Sequence, residues 1–324
     1  MPQHTPKFWA KPVPPLWAML LLSGIAKIYQ TLVECRLKQR PTYHAPMPVI
    51  CVGNISLGGA GKTPVVQALV TTLKEMGFKP AILLRGYGGC QKTPCQVDAS
   101  KHTADDVGDE ALLHSLYAPT WVSANRAHGA KAIVQSSQAN IIVLDDGLQN
   151  PQLYYDLRLM VVDTSQNLGN GCLFPLGPLR ETLAHALKRV NAVVQIGTSE
   201  RSFLLPHGFT ILRGVVKALT KPEASQYMAF AGIAYPQKFY NTLAAANFNV
   251  VATKNFADHQ AFTENHLTAL KQQAEQLNAQ LITTQKDWVR LPQAWQQTID
   301  HLPVNLVWQN VDAVKQLLQQ HLTK

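Results

Sequence analysis

Charge is scarce in this 324-residue chain: Asp, Glu, Lys and Arg make up 15% of it, too little for long self-repelling disordered tracts. Cysteine gives no framework either. Cys35, Cys51, Cys90, Cys95 and Cys172 are odd in number and scattered, which argues against disulfides and for a reducing compartment. Cys90 and Cys95 are spaced C-x4-C, but no second Cys/His pair lies near to complete a zinc site. Internal repeats and low-complexity tracts are absent. No continuous apolar run reaches the ~20 residues of a spanning helix; the run from Leu16 covers about eleven residues. With 46% apolar residues the chain can bury a sizeable core, and its length suggests two domains.

Acidic residues are the minority, leaving a net charge of +9. The excess is uneven. Residues 1–45 carry Lys7, Lys11, Lys27, Arg36, Lys38 and Arg40 against Glu34 alone, a net +5. Such a segment seeks an anionic surface, lipid or nucleic acid. Trp17, Leu20, Leu21, Ile25, Ile28 and Leu32 share one helical face, opposite Ser23, Lys27, Gln30 and Glu34. That pattern predicts a membrane-surface helix. A helix packed on the core and a cleaved secretory signal are the competing readings. Nucleic-acid binding would want aromatics interleaved with basic residues, and none are evident.

Beyond residue 46, strand and helix patterns alternate. "MPVICVGN" (47–54), "KPAILLRGYGG" (79–89), "PTWVSA", "ANIIVLDDG" (139–147), "LRLMVVD" (157–163) and "NAVVQIG" (191–197) read as strands. Helices are expected from Thr63-Pro64, over 105–117 and over "RAHGAKAIVQSS". This rhythm predicts an α/β fold of the phosphate-loop NTPase type, a mostly parallel sheet with helices on both faces. Residues 198–225 read as irregular, and the strand–helix rhythm restarts after "TKPEAS". The expected organisation is a basic amphipathic helix at 1–45, a phosphate-loop domain at 46–222, and a smaller α/β domain at 223–324.

"VGNISLGGAGKTPVV" (52–66) lies between a buried strand and a helix. The strict phosphate-loop pattern G-x-x-x-x-G-K-[ST] wants glycine at 56, where this chain has Ser56. Gly58, Gly59 and Gly61 still let the backbone curl around an anion. The nucleotide-binding set is therefore Ser56, Leu57, Gly58, Gly59, Ala60, Gly61, Lys62 and Thr63. Lys62 would meet the β/γ-phosphates and the Thr63 hydroxyl would meet Mg²⁺. "NIIVLDDGLQ" delivers Asp145 and Asp146 to the same sheet edge, where one could reach Mg²⁺, or the pair could simply begin a turn before Gly147. No N-K-x-D guanine motif is present, since "TQKDW" does not match, so ATP is favoured. "DDVGDEALL" sets Asp105, Asp106, Asp109 and Glu110 at a helix start, more acids than capping needs. His259, after Asp258, is a candidate for an Asp–His general base bridging two domains. Arg180, in "LFPLGPLRET" beside Glu181, could steady transferring phosphate or form a surface ion pair.

Taken together, "VGNISLGGAGKTP", "LLRGYGG", "DVGDEALL", "VLDDGLQN", "LGNGCLFPLGPLRE", "AFAGIAYPQKF", "FADHQAF" and "TTQKD" resemble the tetraacyldisaccharide 4′-kinase family, in the family's order from about 50 to 290. The resemblance implies transfer of the ATP γ-phosphate to the 4′-hydroxyl of a tetraacylated glucosamine disaccharide-1-phosphate, in lipid A biosynthesis. It places the enzyme at the cytoplasmic face of the Gram-negative inner membrane, with Mg²⁺ as cofactor and no obligate protein partner. It also implies that Lys62 and Thr63 are the loop lysine and threonine, and Asp145 and Asp146 the tandem aspartates. Asp109 becomes part of the base with His259 coupled to it; Arg180 and Glu181 become the Arg-Glu pair, its glutamate near the metal. Two positions depart from the family pattern: Asn150 stands where His is frequent, and Gln285 where Glu is. The other reading of such a loop is a switch or assembly ATPase acting on a protein partner at the membrane, with "DVGDE" as the switch segment.

Overall fold

Short apolar runs become strands buried on both faces, as parallel strands covered by helices should be. The computed structural model describes residues 6–165, 167–197 and 205–322. The larger sheet contains β1 (Val49–Gly53), β2 (Pro80–Leu84), β3 (Cys95–Gln96), β4 (Thr120–Val122), β5 (Ile141–Asp145), β6 (Leu157–Asp163), β7 (Ala192–Ile196) and β8 (Ile211–Ala218). A smaller sheet contains β9 (Tyr227–Ala231), β10 (Val250–Asn255), β11 (Gln280–Thr284) and β12 (Asp300–Leu302), and β13 (Val304–Trp308) rejoins the larger one. The strand orders are β13-β8-β7-β6-β1-β5-β2-β4-β3 and β10-β9-β11-β12. Every pairing is parallel except β13 with β8 and β3 with β4 at the two edges.

The helices are α1 (Leu16–Leu37), α2 (Lys62–Glu75), α3 (Ala104–Val107), α4 (Asp109–Ser115), α5 (Arg126–Ser136), α6 (Leu183–Leu187), α7 (Pro236–Ala245), α8 (Glu264–Gln276), α9 (Gln285–Trp288), α10 (Gln293–Gln296) and α11 (Val311–Leu322). Side chains alternate across each strand. Ile50, Val52, Ile141 and Val143 pack against Val65, Leu69 and Leu73 of α2 on one face. Val49, Cys51, Ile142 and Leu144 pack against Ala130 and Ile133 of α5 on the other. The smaller sheet repeats the arrangement, with Met228 and Phe230 against α8 and Tyr227 and Ala229 against α7.

The expected mostly parallel α/β sheet is therefore present, and three details differ from the sequence reading. The strand β8 lies inside the stretch taken as irregular, of which 198–204 fall outside the described residues. The single helix expected at 105–117 is two, broken at Gly108. The last segment does not stay with the smaller unit. Pro303 alone separates β12 from β13, which pairs antiparallel with β8 from Val304↔Ala218 to Trp308↔Gly214. Val314, Leu317, Leu318 and Leu322 of α11 then complete the larger core.

The amino-terminal helix α1 runs 22 residues and buries only Ala18 and Ala26. Leu16, Trp17, Met19, Leu20, Leu21, Ile25, Ile28 and Leu32 are exposed. Its mean hydropathy reaches 1.5 over 18 residues, so length and composition alone would let it cross a membrane. The broken apolar run understated it, because Ser23, Gly24 and Lys27 interrupt the run without interrupting the helix. Its foot is clipped to the loop before α6. Trp9 Nε1 donates to Pro175 O at 3.0 Å, and Asn170 N donates to Trp9 O at 2.9 Å. The Tyr29 and Phe174 rings meet edge to face at 5.5 Å.

Candidate active site

The parallel register decides what gathers at the sheet edge. Val52 is paired with Asp145 and Gly53 with Met160, so β1 lies between β5 and β6 and their C-terminal loops flank one crevice. Such a crevice is where open α/β sheets bind ligands. The loop after β1 ends at Gly61, whose φ of 75° needs glycine, and α2 then starts at Lys62. Ser56 has no such need, since it is not among the positive-φ residues. It forms an isolated bridge with Leu179. Leu57 N donates to Pro178 O at 2.8 Å and Arg180 N to Ile55 O at 2.6 Å, so the loop before α6 is laced along the phosphate loop.

That lacing brings Arg180 to the two aspartates. Arg180 Nη1 lies 3.2 and 3.1 Å from the Asp146 carboxylate oxygens, and Lys62 Nζ lies 3.4 Å from Asp146 Oδ1. Burial alone would raise the Asp146 pKa, but the Lys62 and Arg180 charges outweigh it and hold the carboxyl below its usual range. Asp145 closes β5, and Asp146, at φ 55°, begins the bend before Gly147. Lys62 is also held by the buried Asn54, whose Oδ1 accepts at 3.2 Å.

Asp145 has different company. Its Oδ2 is 2.9 Å from His114 Nε2, both side chains being buried, and its Oδ1 is buried without a hydrogen-bond partner among the described residues. Glu181 is occupied by Arg189, by His185 Nδ1 at 3.2 Å and by Gln149 Nε2 at 2.9 Å.

A second cluster joins the two units. Gly108 has φ 88°, and a Cβ there would stand 2.5 Å from Tyr87 O. The chain turns there and restarts as α4 with Asp109 as its first residue. Among the preceding acids, Asp106 is a cap, its Oδ2 accepting from Thr103 N at 2.7 Å. Asp109 Oδ2 lies 2.9 Å from His259 Nδ1, 3.8 Å from Lys286 Nζ and 3.9 Å from Arg290 Nε, all three from the smaller unit. Burial works against the Asp109 charge, yet these partners together hold its pKa at about 2. Lys286 is kept more firmly protonated by Asp109 and Glu110 despite its own burial. Asp258 is the weaker carboxylate partner of His259, at 3.8 Å. His259 itself sits at φ 58°, with its N–H bonded to Gly232 O at 3.1 Å. Asp287, fully buried, accepts from Gly232 N at 2.9 Å and pairs with Arg290, bracing that turn.

Sequence reasoning missed Asn54, His114, Gln149, Lys286 and Arg290. Asn54, Gln149 and Lys286 had an available signal in "VGNISLGGAGKTP", "VLDDGLQN" and "TTQKD"; His114 and Arg290 lie outside any motif. The two departures are local. Asn150 Oδ1 accepts from Gln152 N at 2.9 Å, and Gln285 Oε1 accepts from Tyr117 OH at 3.2 Å.

A phosphate loop at the head of a parallel sheet, tandem aspartates beside it and a buried carboxylate paired with a histidine across from it define a phosphate-loop nucleotide enzyme. Residues 17–323 match the family model of tetraacyldisaccharide-1-P 4′-kinase, so the chain belongs to that family and is a kinase. Curated relatives named tetraacyldisaccharide 4′-kinase agree. That of Rhodospirillum centenum is 42% identical over 97% of this chain and 95% of its own. That of Gluconobacter oxydans is 38% identical over 98% of both. The fold is also that of an Aquifex aeolicus LpxK, crystallised in its "apo" form in complex with ATP. Its TM-score is 0.77 at 23% identity, covering 93% of this chain and 98% of that one.

Proposed function

We propose that this kinase transfers the γ-phosphate of ATP to the 4′-hydroxyl of a tetraacyl glucosamine disaccharide-1-phosphate, a precursor of lipid A, at the cytoplasmic face of the bacterial inner membrane. The observation that carries the reading is the Asp109 cluster. A carboxylate of the larger unit is buried and held ionised by His259, Lys286 and Arg290 of the smaller unit. An acceptor hydroxyl bound between the units has a fixed acceptor for its proton there.

Backbone N–H groups of residues 56–63 cradle the phosphates at the start of α2. Lys62 leaves Asp146 for the β/γ-phosphates, and Arg180 neutralises charge on the transferring group. For Mg²⁺ the donors are oxygens, as a hard cation requires: the Thr63 hydroxyl and Asp145, with Asp146 and Glu181 behind them. The buried, unpartnered Asp145 Oδ1 fits a cation or its bound water. Among the described residues no cluster of three His, Cys, Asp or Glu side chains forms a metal cage, which suits an ion held by one or two carboxylates plus substrate phosphate. When bound, Mg²⁺ neutralises the β- and γ-oxygens. Asp109, with a pKa of about 2, is a weak base. Its role is to orient the hydroxyl and take the proton late, as a loose phosphoryl transition state permits.

The exposed apolar stripe of α1 and the surrounding positive charge support docking on the membrane that holds the acyl chains. The direct test supplies radiolabelled ATP, Mg²⁺ and the disaccharide lipid in detergent. Label should enter the lipid with the wild-type chain. Asp109→Ala should lose roughly 10²–10⁴-fold in rate while still binding ATP. No incorporation by the wild type would overturn the reading, and a fully active Asp109→Ala would overturn the base.

A further inference from the structure

Both ends of the short helix α4 are tied to the site, and only one end is explained by the reaction. At its start Asp109 meets the smaller unit. At its other end His114, completely buried, places Nε2 2.9 Å from Asp145 Oδ2 at the tip of β5. A carboxylate oxygen serves as acceptor, so in this contact Nε2 is the donor.

We propose that His114 is a positioning residue for phosphoryl transfer: it fixes the Asp145 carboxylate so that Oδ1 stays free for the cation, and it pins α4, whose first residue is Asp109. The proposal rests on the Mg²⁺–ATP reading of the site. The torsion that turns a carboxylate about its last bond is soft, so a single strong hydrogen bond to Oδ2 sets where Oδ1 points. Oδ1 is the buried carboxylate oxygen of Asp145 left without a hydrogen-bond partner, whereas Asp146 is engaged by Lys62 and Arg180. A free charged oxygen in a buried place is costly unless something binds it.

The second half of the argument is mechanical. The helix α4 has seven residues, too few to hold its shape without anchors. The ion-pair partners of Asp109 belong to the other unit. The His114–Asp145 bond ties α4 to the larger sheet itself, so the place of Asp109 relative to the phosphate loop does not rest on those partners alone.

The test compares His114→Leu, which keeps bulk without a donor, with His114→Gln, whose amide can donate at a similar reach. Binding of a fluorescent ATP analogue is followed as Mg²⁺ is titrated. His114→Leu should bind the analogue normally in EDTA, yet need about tenfold more Mg²⁺ for its Mg²⁺-dependent binding, the size expected for a partner behind a metal ligand. His114→Gln should stay close to wild type. In an Asp145→Asn background, His114→Leu should add no further loss. A His114→Leu protein with the wild-type Mg²⁺ requirement overturns the proposal, as does a His114→Gln equally impaired, which would mean packing alone. Should His114→Leu not fold, His114→Asn, too short to reach Asp145, takes its place with the same expectation. If the wild type shows no Mg²⁺ dependence, the cation reading of the site fails first.

Discussion

At the scale of single residues, Asp109 is the side chain whose chemistry is most shaped by its neighbours. Burial opposes its charge, and three positive or hydrogen-bonding groups reverse that, leaving a pKa of about 2. An unfolded aspartate titrates near ~3.9. The folded value is the lower one, so Asp109 contributes stability in full above about pH 4 and loses it as pH falls toward 2. Replacing Lys286 by Met removes one of the depressing charges. The Asp109 carboxyl should then titrate at higher pH, measured by NMR on protein labelled at the aspartate carboxyl carbons. An unmoved titration in a folded Lys286→Met protein would show that the 3.8 Å pair carries no weight. None of this was visible as spacing. The acidic run and His259 were candidates from the residues, and the resemblance paired Asp109 with His259; Arg290 reaches Asp109, and His114 reaches Asp145, only through the fold.

At the scale of elements, local signals were read well and breaks between elements poorly. The strand–loop–helix around Lys62 is written in consecutive residues, and the structure places it as read. The acids at 105–110 read as one helix start, because a single glycine says nothing of its φ. Gly108 in fact divides α3 from α4, and a Cβ would meet Tyr87 O at 2.5 Å. Gly108→Ala should therefore do more than add the ~1 kcal/mol strain of a positive φ. A loss of about 2 kcal/mol or more in urea unfolding is expected once the backbone clash is included. The rate should fall as well, because Asp109 follows directly. A variant within about 0.5 kcal/mol of wild type would mean that the turn relaxes freely. The strand β13 was illegible for another reason. An edge strand that joins a distant sheet after Pro303 has a pattern no different from one that stays with its own unit.

At the scale of the whole molecule, two sheets meet over one crevice and α1 projects an apolar face beside them. The larger sheet was legible because buried parallel strands form continuous apolar runs. Of the contacts that join the two units, the Asp109–His259 pair was implied by the resemblance, while Asp163–Lys238 was not read, since it links residues far apart in sequence without a motif. The helix α1 was read from its apolar face and basic flanks, and in the structure it packs little against the rest: only Ala18 and Ala26 are buried, and eight large apolar side chains are exposed. This makes membrane docking separable from catalysis. Leu20, Ile28 and Leu32 are 75%, 64% and 65% exposed, so Asn at all three should leave folding and ATP binding intact. Each loses about 1.5 kcal/mol or more of apolar transfer. Together that is about 4.5 kcal/mol or more, at least roughly a thousandfold in partition. The basic residues of 1–45 each add about 1 kcal/mol near an anionic surface, so the binding that survives should vanish at high salt. Sedimentation with anionic vesicles measures both effects. At high salt the triple variant should stay in the supernatant, and it should still phosphorylate acceptor lipid dispersed in detergent. If it pelleted like the wild type, α1 would not be what holds this kinase to the bilayer.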